Sequence, residues 1–464
     1  MSARRILRLS RLVGALTLFG FLISACAAGR AAGQATKRIT WLVRSDLGEG
    51  SAVWAKQTAS AFAQGHPGTH VAIVAVPAAQ YNQKFLTMYA AGTPPDVVGT
   101  YAMGFGTFYA RHMLADITPQ LHALNLHLSR YFPKAVLATM TRKGKIYGLP
   151  FSDPPMVVLY DRTMFHAAGL PYPPTSWADR SWTIGAMLRD AKRLSHPGSS
   201  PANARYGLIM GPGQLGFSAW LWGADVFSPQ GPKHASPYQT GLPAQPYVDR
   251  TRFLTAMTWL ADLITKWHVS PTADQATALG VLGNPILSGR VAMEDTLITE
   301  LHVFAGAHPS FQWGIAPVPY GPGGDISPTG VSGWAVSATS AHPKTAAAFV
   351  AYLTMGPAAA TYAKIGGFVP ADRQDLPTYL HSLSALPGNG QTYSEDLQVV
   401  RGGVAASDGY IFPAKVFSGG PHWNTEFTNV TANVWNGQES PRKAFTTLQH
   451  DFDVLLHQER TASG

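Results

Sequence analysis

The strongest constraint on the fold is the alternation of short apolar strands with amphipathic helices over residues 39–98. Ile39-Thr40-Trp41-Leu42-Val43 reads as a strand. Trp54, Thr58, Ala61 and Phe62 then recur at i, i+4, i+7 and i+8, which predicts one face of a helix ended by His66-Pro67-Gly68. Val71 to Val76 is a second strand. Tyr81, Phe85, Met88 and Tyr89 mark a second helix that stops at Gly92 before Pro94-Pro95, and Asp96-Val97-Val98 opens a third strand. This β-α-β-α order predicts a mostly parallel sheet covered by helices, with ligands gathering at the carboxyl ends of the strands. The 45–51 and 101–106 loops lie there.

The rest of the chain keeps the same style. Ile184, Met187, Leu188, Ala191 and Leu194 form one helix face, and Phe253, Met257, Leu260, Ile264 and Trp267 another. Between them, 228–248 is rich in Pro, Gly and Ser and predicts a long surface loop. Pro343 starts a helix with Ala346, Phe349, Val350 and Leu353 on one face, and Gly356-Pro357 stops it. A last helix near 441–456 carries Phe445, Leu448, Phe452 and Leu455. The 464 residues suffice for two domains of ordinary size.

Cys26 is the only cysteine. It closes a leader with Arg4, Arg5, Arg8 and Arg11 in front, and the apolar run Leu12 to Ile23 is shorter than the roughly 20 residues of a spanning helix. Ile23-Ser24-Ala25-Cys26 resembles the lipobox of bacterial lipoproteins. That resemblance implies cleavage of a signal peptide 1–25, lipidation of Cys26 and a lipid-anchored linker over 26–36. The expected location is the outer face of the cytoplasmic membrane. With Cys26 so used, no disulfide, thiolate metal site or cysteine nucleophile remains, and the fold must rest on its core.

Charge is sparse, with 13% Asp, Glu, Lys and Arg against a usual figure of roughly 25%. The net charge of +9 includes the four leader arginines, and Arg142-Lys143-Gly144-Lys145 is the densest basic cluster. Lacking a basic helix or an aromatic-interleaved stripe, it reads as a solvated turn, so nucleic acid is not an expected partner. Few carboxylates also predict a small loss of stability in acid, as suits an acidic medium.

Several blocks together carry a family resemblance over nearly the whole mature chain. Tyr81 to Phe85, Ala91 to Val98 and Leu114 to Pro119 resemble the first lobe of the bacterial extracellular solute-binding proteins of the sugar-binding, maltose-binding-protein-like type, which serve ABC importers. Gly144 to Pro150, Leu159-Tyr160-Asp161 and Phe165 to Leu170 resemble the crossing into the second lobe. Ser288 to Met293, Trp313 to Pro319 and Gly333 to Ser337 follow in the family's order. Asp161 stands where family members usually carry Asn.

The resemblance implies an α/β, two-lobed periplasmic-binding-protein-like fold, each lobe a mostly parallel sheet flanked by helices. The lobes would comprise 37–150 with 320–365 and 151–319 with 366–464. Hinge strands would cross near 151–155, 316–320 and 365–370. It further implies a monomer that closes by hinge motion on a mono- or oligosaccharide, hands it to membrane permease subunits, and needs no catalysis or cofactor.

Sugar recognition calls for flat apolar faces and planar polar groups. Ser45 and Asp46 follow the first strand directly, with a helix cap as the other role open to Asp46. Tyr101 and Phe105 follow the third strand; Phe105 has packing as its alternative. Asp153 lies in the first hinge crossing, and Glu294 and Asp295 stand at a strand end. Trp220 and Trp222 would face about 200° apart on a helix, so only one could reach a ligand. Gly333, Trp334, Arg373 and Trp423 complete the set, the two tryptophans as stacking platforms whose removal should weaken binding and spare folding.

Other chemistries find less support. Gly211-Pro212-Gly213-Gln214-Leu215-Gly216 fits G-x-G-x-x-G after the strand-like 206–210, yet no acidic residue follows at the spacing of a dinucleotide site, so it reads as a loop at the cleft rim. The 16 histidines show no metal-binding spacing, and there is no G-x-S-x-G elbow. The alternatives left open are a secreted carbohydrate-active enzyme and a receptor for a non-sugar solute such as a glycerol-phosphate ester.

Overall fold

The structure, a computed structural model, describes residues 37–101, 104–196, 198, 203–232, 243–280, 284–365, 368–407 and 419–463. The leader, Cys26, the linker 26–36, the middle of the 228–248 stretch and part of the 365–370 crossing lie outside the described residues.

β1 (Lys37–Arg44) pairs in parallel with β2 (Thr69–Val76) along its whole length, from Lys37 opposite Thr69 to Arg44 opposite Val76. β3 (Val97–Gly99) joins β1's other edge, also in parallel. The crossovers are α1 (Gly48–Gly65) and α2 (Ala78–Ala90). Ile39, Trp41 and Leu42 are fully buried, as both faces of a helix-covered central strand require. Tyr81 ties α2 to the sheet: its hydroxyl donates to the Leu42 carbonyl at 2.7 Å and accepts from the Gly99 N–H at 2.8 Å.

A small ribbon follows, β4 (Thr141–Arg142) against β5 (Lys145–Ile146). Lys143 and Gly144 between them take φ of 50° and 75°, the left-handed pair a two-residue hairpin demands. β6 (Leu149–Ser152) then ends at the first hinge crossing and β7 (Met156–Asp161) leaves it. Asp161 caps the next helix, Arg162–Ala167, by accepting from the Met164 N–H at 2.9 Å. β8 (Met293–Leu297) and β9 (Trp313–Ala316) flank β7, and β10 (Ser332–Val336) returns to the first sheet, whose order is β2-β1-β3-β10-β6.

The expected parallel style holds at β2-β1-β3 and gives way elsewhere. β10 runs antiparallel to both β3 and β6, and β7 runs antiparallel to both β8 and β9. The connections between the two sheets account for most of this. β6 leads straight into β7 of the other sheet, β9 precedes the return of the chain, and β10 is the returning strand of the first sheet. Parallel bridges of Tyr206 with Val291 and Ile209 with Glu294 extend the region of β8.

Each sheet has its own core. Around the first, Trp41 meets Trp54, Trp334 and Phe349 edge-on at 5.6, 5.3 and 5.1 Å. Such pairs add about 0.5–1.5 kcal/mol each beyond area burial. Around the second, two clusters form on opposite faces of β7: Met156, Val158 and Tyr160 enter one, Val157 and Leu159 the other. The helices Ile184–Leu194, Thr251–Thr265 and Pro441–Ser463 pack into the first of these.

Candidate solute-binding cleft

The carboxyl ends of β1, β3 and β6 and the start of β10 form one edge of the first sheet. At this edge Arg44 grips Asp46 with two bonds, Nη2 to Oδ2 at 2.6 Å and Nε to Oδ1 at 3.1 Å. The Ala78 N–H donates to the same Oδ1 at 3.0 Å. The bond from Arg44 holds the Asp46 carboxyl below its ordinary range. Burial works against the Arg44 charge, but Asp46 outweighs it and the guanidinium is held above its usual value. The guanidinium also sits 5.5 Å from the centre of the Tyr101 ring.

Behind this pair is an aromatic floor. Tyr101 stands edge-on to Phe151 and Trp334 at 5.7 and 5.5 Å. Phe151 stacks on Trp334 at 5.1 Å and meets Phe368 at 5.5 Å. From the second sheet's side, Glu300 on the turn Ile298–Glu300 is open to solvent yet shielded enough for desolvation to raise its carboxyl, with Arg44 pulling it down and Asp46 pushing it up. The two sheets therefore meet across a charged gap over aromatic rings.

Asp153 joins the hinge crossings. Its Oδ1 accepts from Thr329 Oγ1 at 2.6 Å and its Oδ2 from Arg373 Nη2 at 2.5 Å, and its own N–H donates to Val369 O at 3.1 Å. Backbone bridges from Ser152 to Pro370 and from Pro155 to Thr329 run alongside. The carboxylate is wholly enclosed, so Asp153 ties the crossings together and shows no free edge to a solute. Arg373 keeps one nitrogen, Nη1, without a protein partner.

The remaining sequence candidates divide. Ser45 is exposed beside Asp46. Gly333 exchanges bonds with Thr100, and a Cβ there would lie within 3 Å of Met140 and the Leu149 carbonyl, so its smallness serves strand packing. Phe105 is buried under the Arg142 guanidinium at 4.9 Å, the packing role rather than an open face. Trp334 is only 2% exposed and belongs to the aromatic core. Trp423 is enclosed among Phe227 and Phe452 and donates to Glu459 Oε1 at 2.9 Å. Neither tryptophan presents a flat face to the cleft. Both faced inward because the apolar faces of β10 and of helix Gly420–Trp435 are covered.

Trp220 and Trp222 lie on a 3-10 segment, Gln214–Trp222, and both are buried, Trp220 donating to Asp225 Oδ1 at 2.9 Å and Trp222 packing against Trp259. Glu294 and Asp295 sit on β8, side by side and on opposite faces. Sequence reading missed Arg44, Thr329 and Glu300. Arg44 carried a usable signal as the last residue of the first strand, whereas nothing local marks Thr329 or Glu300.

Burial pushes the carboxyls of Glu294 and Asp295 up to about 7, and those of Asp161, Asp375 and Asp396 up to about 6. It pushes His302 down to about 4. A carboxyl raised by folding contributes stability that is complete below its ordinary value and is lost as pH rises through the folded one. The histidine acts oppositely, losing stability as pH falls from its ordinary value through 4. Five carboxyls outweigh one imidazole between pH 8 and 5, so the melting temperature should be higher at pH 5 than at pH 8. A scan showing a monotonic fall from pH 8 to 5 would contradict this balance.

The sequence pattern of the bacterial extracellular solute-binding proteins matches residues 44–355. This chain belongs to that family. An uncharacterised lipoprotein of Streptomyces antibioticus is 26% identical over 361 residues, 74% of this chain and 72% of its own length. A Brucella abortus chain described as a candidate binding protein is 23% identical over 60% of this chain, and the match spans 62% of that relative's length. Among solved structures, an ABC substrate-binding protein from Listeria monocytogenes in complex with cycloalternan superposes with a TM-score of 0.74 at 19% identity, covering 91% of this chain and 99% of that one. The maltodextrin-binding domain of Bdellovibrio bacteriovorus bound to maltotriose gives 0.65 at 15% identity, covering 91% and 100%. The shared fold is the two-lobed one.

Proposed function

We propose that this chain is an exported receptor that captures a neutral mono- or oligosaccharide between its lobes and delivers it to the permease subunits of an ABC importer, without catalysing a reaction. Its lobes would be 37–150 with 320–365 and 151–319 with 366–464, the chain a monomer tethered by a lipid on Cys26. Family membership supports the receptor role, and the relatives' complexes with cycloalternan and maltotriose support a sugar.

The observation that carries the choice of a neutral solute is charge pairing at the cleft. Arg44 is bound twice by Asp46, and Arg373 by Asp153, while Glu300 adds a further carboxylate. A phosphate ester needs an uncommitted arginine or a nest of free N–H groups, and these two arginines are already engaged. Hydroxyls accept such a lattice of fixed donors and acceptors without bringing charge. Within the cleft, Ser45, Arg44, Asp46, Glu300 and the outer edge of Tyr101 are the proposed contacts.

The test is thermal shift and calorimetry of the mature chain against neutral oligosaccharides and glycerol-phosphate diesters. A solute at a hundred times its Kd should add about 2.7 kcal/mol of stability. Binding of the diesters alone would refute the proposal, and conversion of a bound glycan to product would favour the enzyme alternative. Anchoring is read by mass spectrometry of the native N-terminus, where an unmodified start beyond residue 26 would contradict it.

A further inference from the structure

Four features converge on one place in the second lobe: the G-x-G-x-x-G segment, a run of left-handed backbone, a buried carboxylate and a cavity. Gly213, Leu215 and Gly216 take φ of 67°, 51° and 70°. Leu215 holds this conformation while fully buried, a strained state that persists only where packing imposes it. The Gly213 and Gly216 positions also have rings pressed against them, Phe217 and Phe253, where a side chain would clash. The segment thereby folds the following turn back over β7 and β8 and closes the wall of a cavity of about 20 Å3.

That cavity is lined by Met156, Met187, Met210 and Phe217, with Asp295 and Ser218 as its polar members. Ser218 has committed its proton to the Gly211 carbonyl at 2.7 Å. The backbone N–H of Gly211 lies close enough to the Asp295 carboxyl to favour its charge, while the N–H of Asp295 itself donates to the Ile209 carbonyl at 3.2 Å. Although deep in the lobe, it stays partly accessible, because its carboxyl faces the cavity rather than packed protein. Met156 directly follows the first hinge crossing, and Pro328, also on the wall, adjoins Thr329, the partner of Asp153. The cavity therefore lies beside the hinge.

Resting on the reading of the chain as a sugar receptor, we propose that this cavity is a subsite for one uncharged hydroxymethyl end of the solute, with Asp295 as the group that reads its hydroxyl. The space admits about one water-sized group, too little for a sugar ring and enough for a terminal CH2OH. Thioether and aromatic walls suit the methylene, since methionine adapts its shape to small apolar groups. The carboxyl is the group able to take the hydroxyl's hydrogen bond. An ammonium end would have to shed its water into apolar walls for a single partner, which the alcohol avoids. A solute lacking the hydroxyl fills the space with an apolar group against the carboxyl and leaves one of its acceptor positions unfilled, so discrimination follows from that lost hydrogen bond.

The experiment takes a neutral hexose oligosaccharide that binds the mature chain and compares it by calorimetry with its 6-deoxy and 6-amino-6-deoxy forms. The wild type should bind the parent at least about tenfold more tightly than either analogue. Asp295→Leu and Asp295→Ala should bind parent and 6-deoxy sugar equally, with melting curves confirming that both are folded; the smaller side chain serves where leucine overpacks. Equal binding of the three sugars by the wild type would reduce the cavity to a structural water site and overturn the subsite alone. Discrimination surviving in the folded variants would place the hydroxyl elsewhere, and preference for the amino sugar would replace an alcohol pocket with a cation pocket. Failure of every neutral sugar to bind would overturn both the receptor reading and this inference.

Discussion

Trp334→Ala should unfold this protein far more readily, lowering stability by about 3–5 kcal/mol through the cavity it leaves. The indole is 2% exposed and touches Trp41, Tyr101 and Phe151, so its loss removes the keystone of an aromatic cluster rather than a stacking face. This reverses the sequence-based expectation that folding would be spared. Urea denaturation at neutral pH measures it, with Trp334→Phe as the milder control. A wild-type midpoint in the alanine variant would show that the ring does not support the core.

The second large effect is expected at the hinge. Asp153→Ala removes the acceptor of both Thr329 and Arg373 and leaves a mostly shielded guanidinium without its counter-charge, at a cost of about 3 kcal/mol. The companion variant Arg373→Met should be similarly harmful alone, because it strands a carboxylate with no exposure at all. Combined, Asp153→Ala with Arg373→Met should recover much of the loss, since no uncompensated charge then remains. Purely additive losses in this double-mutant cycle would mean that the pair is not coupled. Two spin labels, one on exposed Lys56 of the first lobe and one on exposed Thr255 of the second, would report whether the same substitution also shifts lobe separation.

Much of the first lobe could be read from the sequence because its order is local. Strand and helix alternate within 60 residues, and each crossover helix carries its apolar face at 3.6-residue spacing. The same holds for the position of Asp46 just beyond the carboxyl end of β1. Strand direction in the second sheet was not legible, since β7 pairs with β8 and β9 from more than a hundred residues away.

The tryptophans show the limit of local reasoning most plainly. Gly333-Trp334 and Trp423 near the last helices carry the same local signal whether the ring faces solvent or core. Only the neighbours choose: Trp41 and Phe151 come to Trp334 from strands distant in sequence, and Phe227 and Phe452 to Trp423. The sequence by itself determined the family and the alternating first lobe, with Ser45 and Asp46 directly after its first strand, because periodicity and short connections encode them. Tertiary structure alone decided that Asp153 pairs with Arg373 and Thr329, that the tryptophans are core, and that Asp295 faces a cavity, because each depends on side chains brought together from far along the chain.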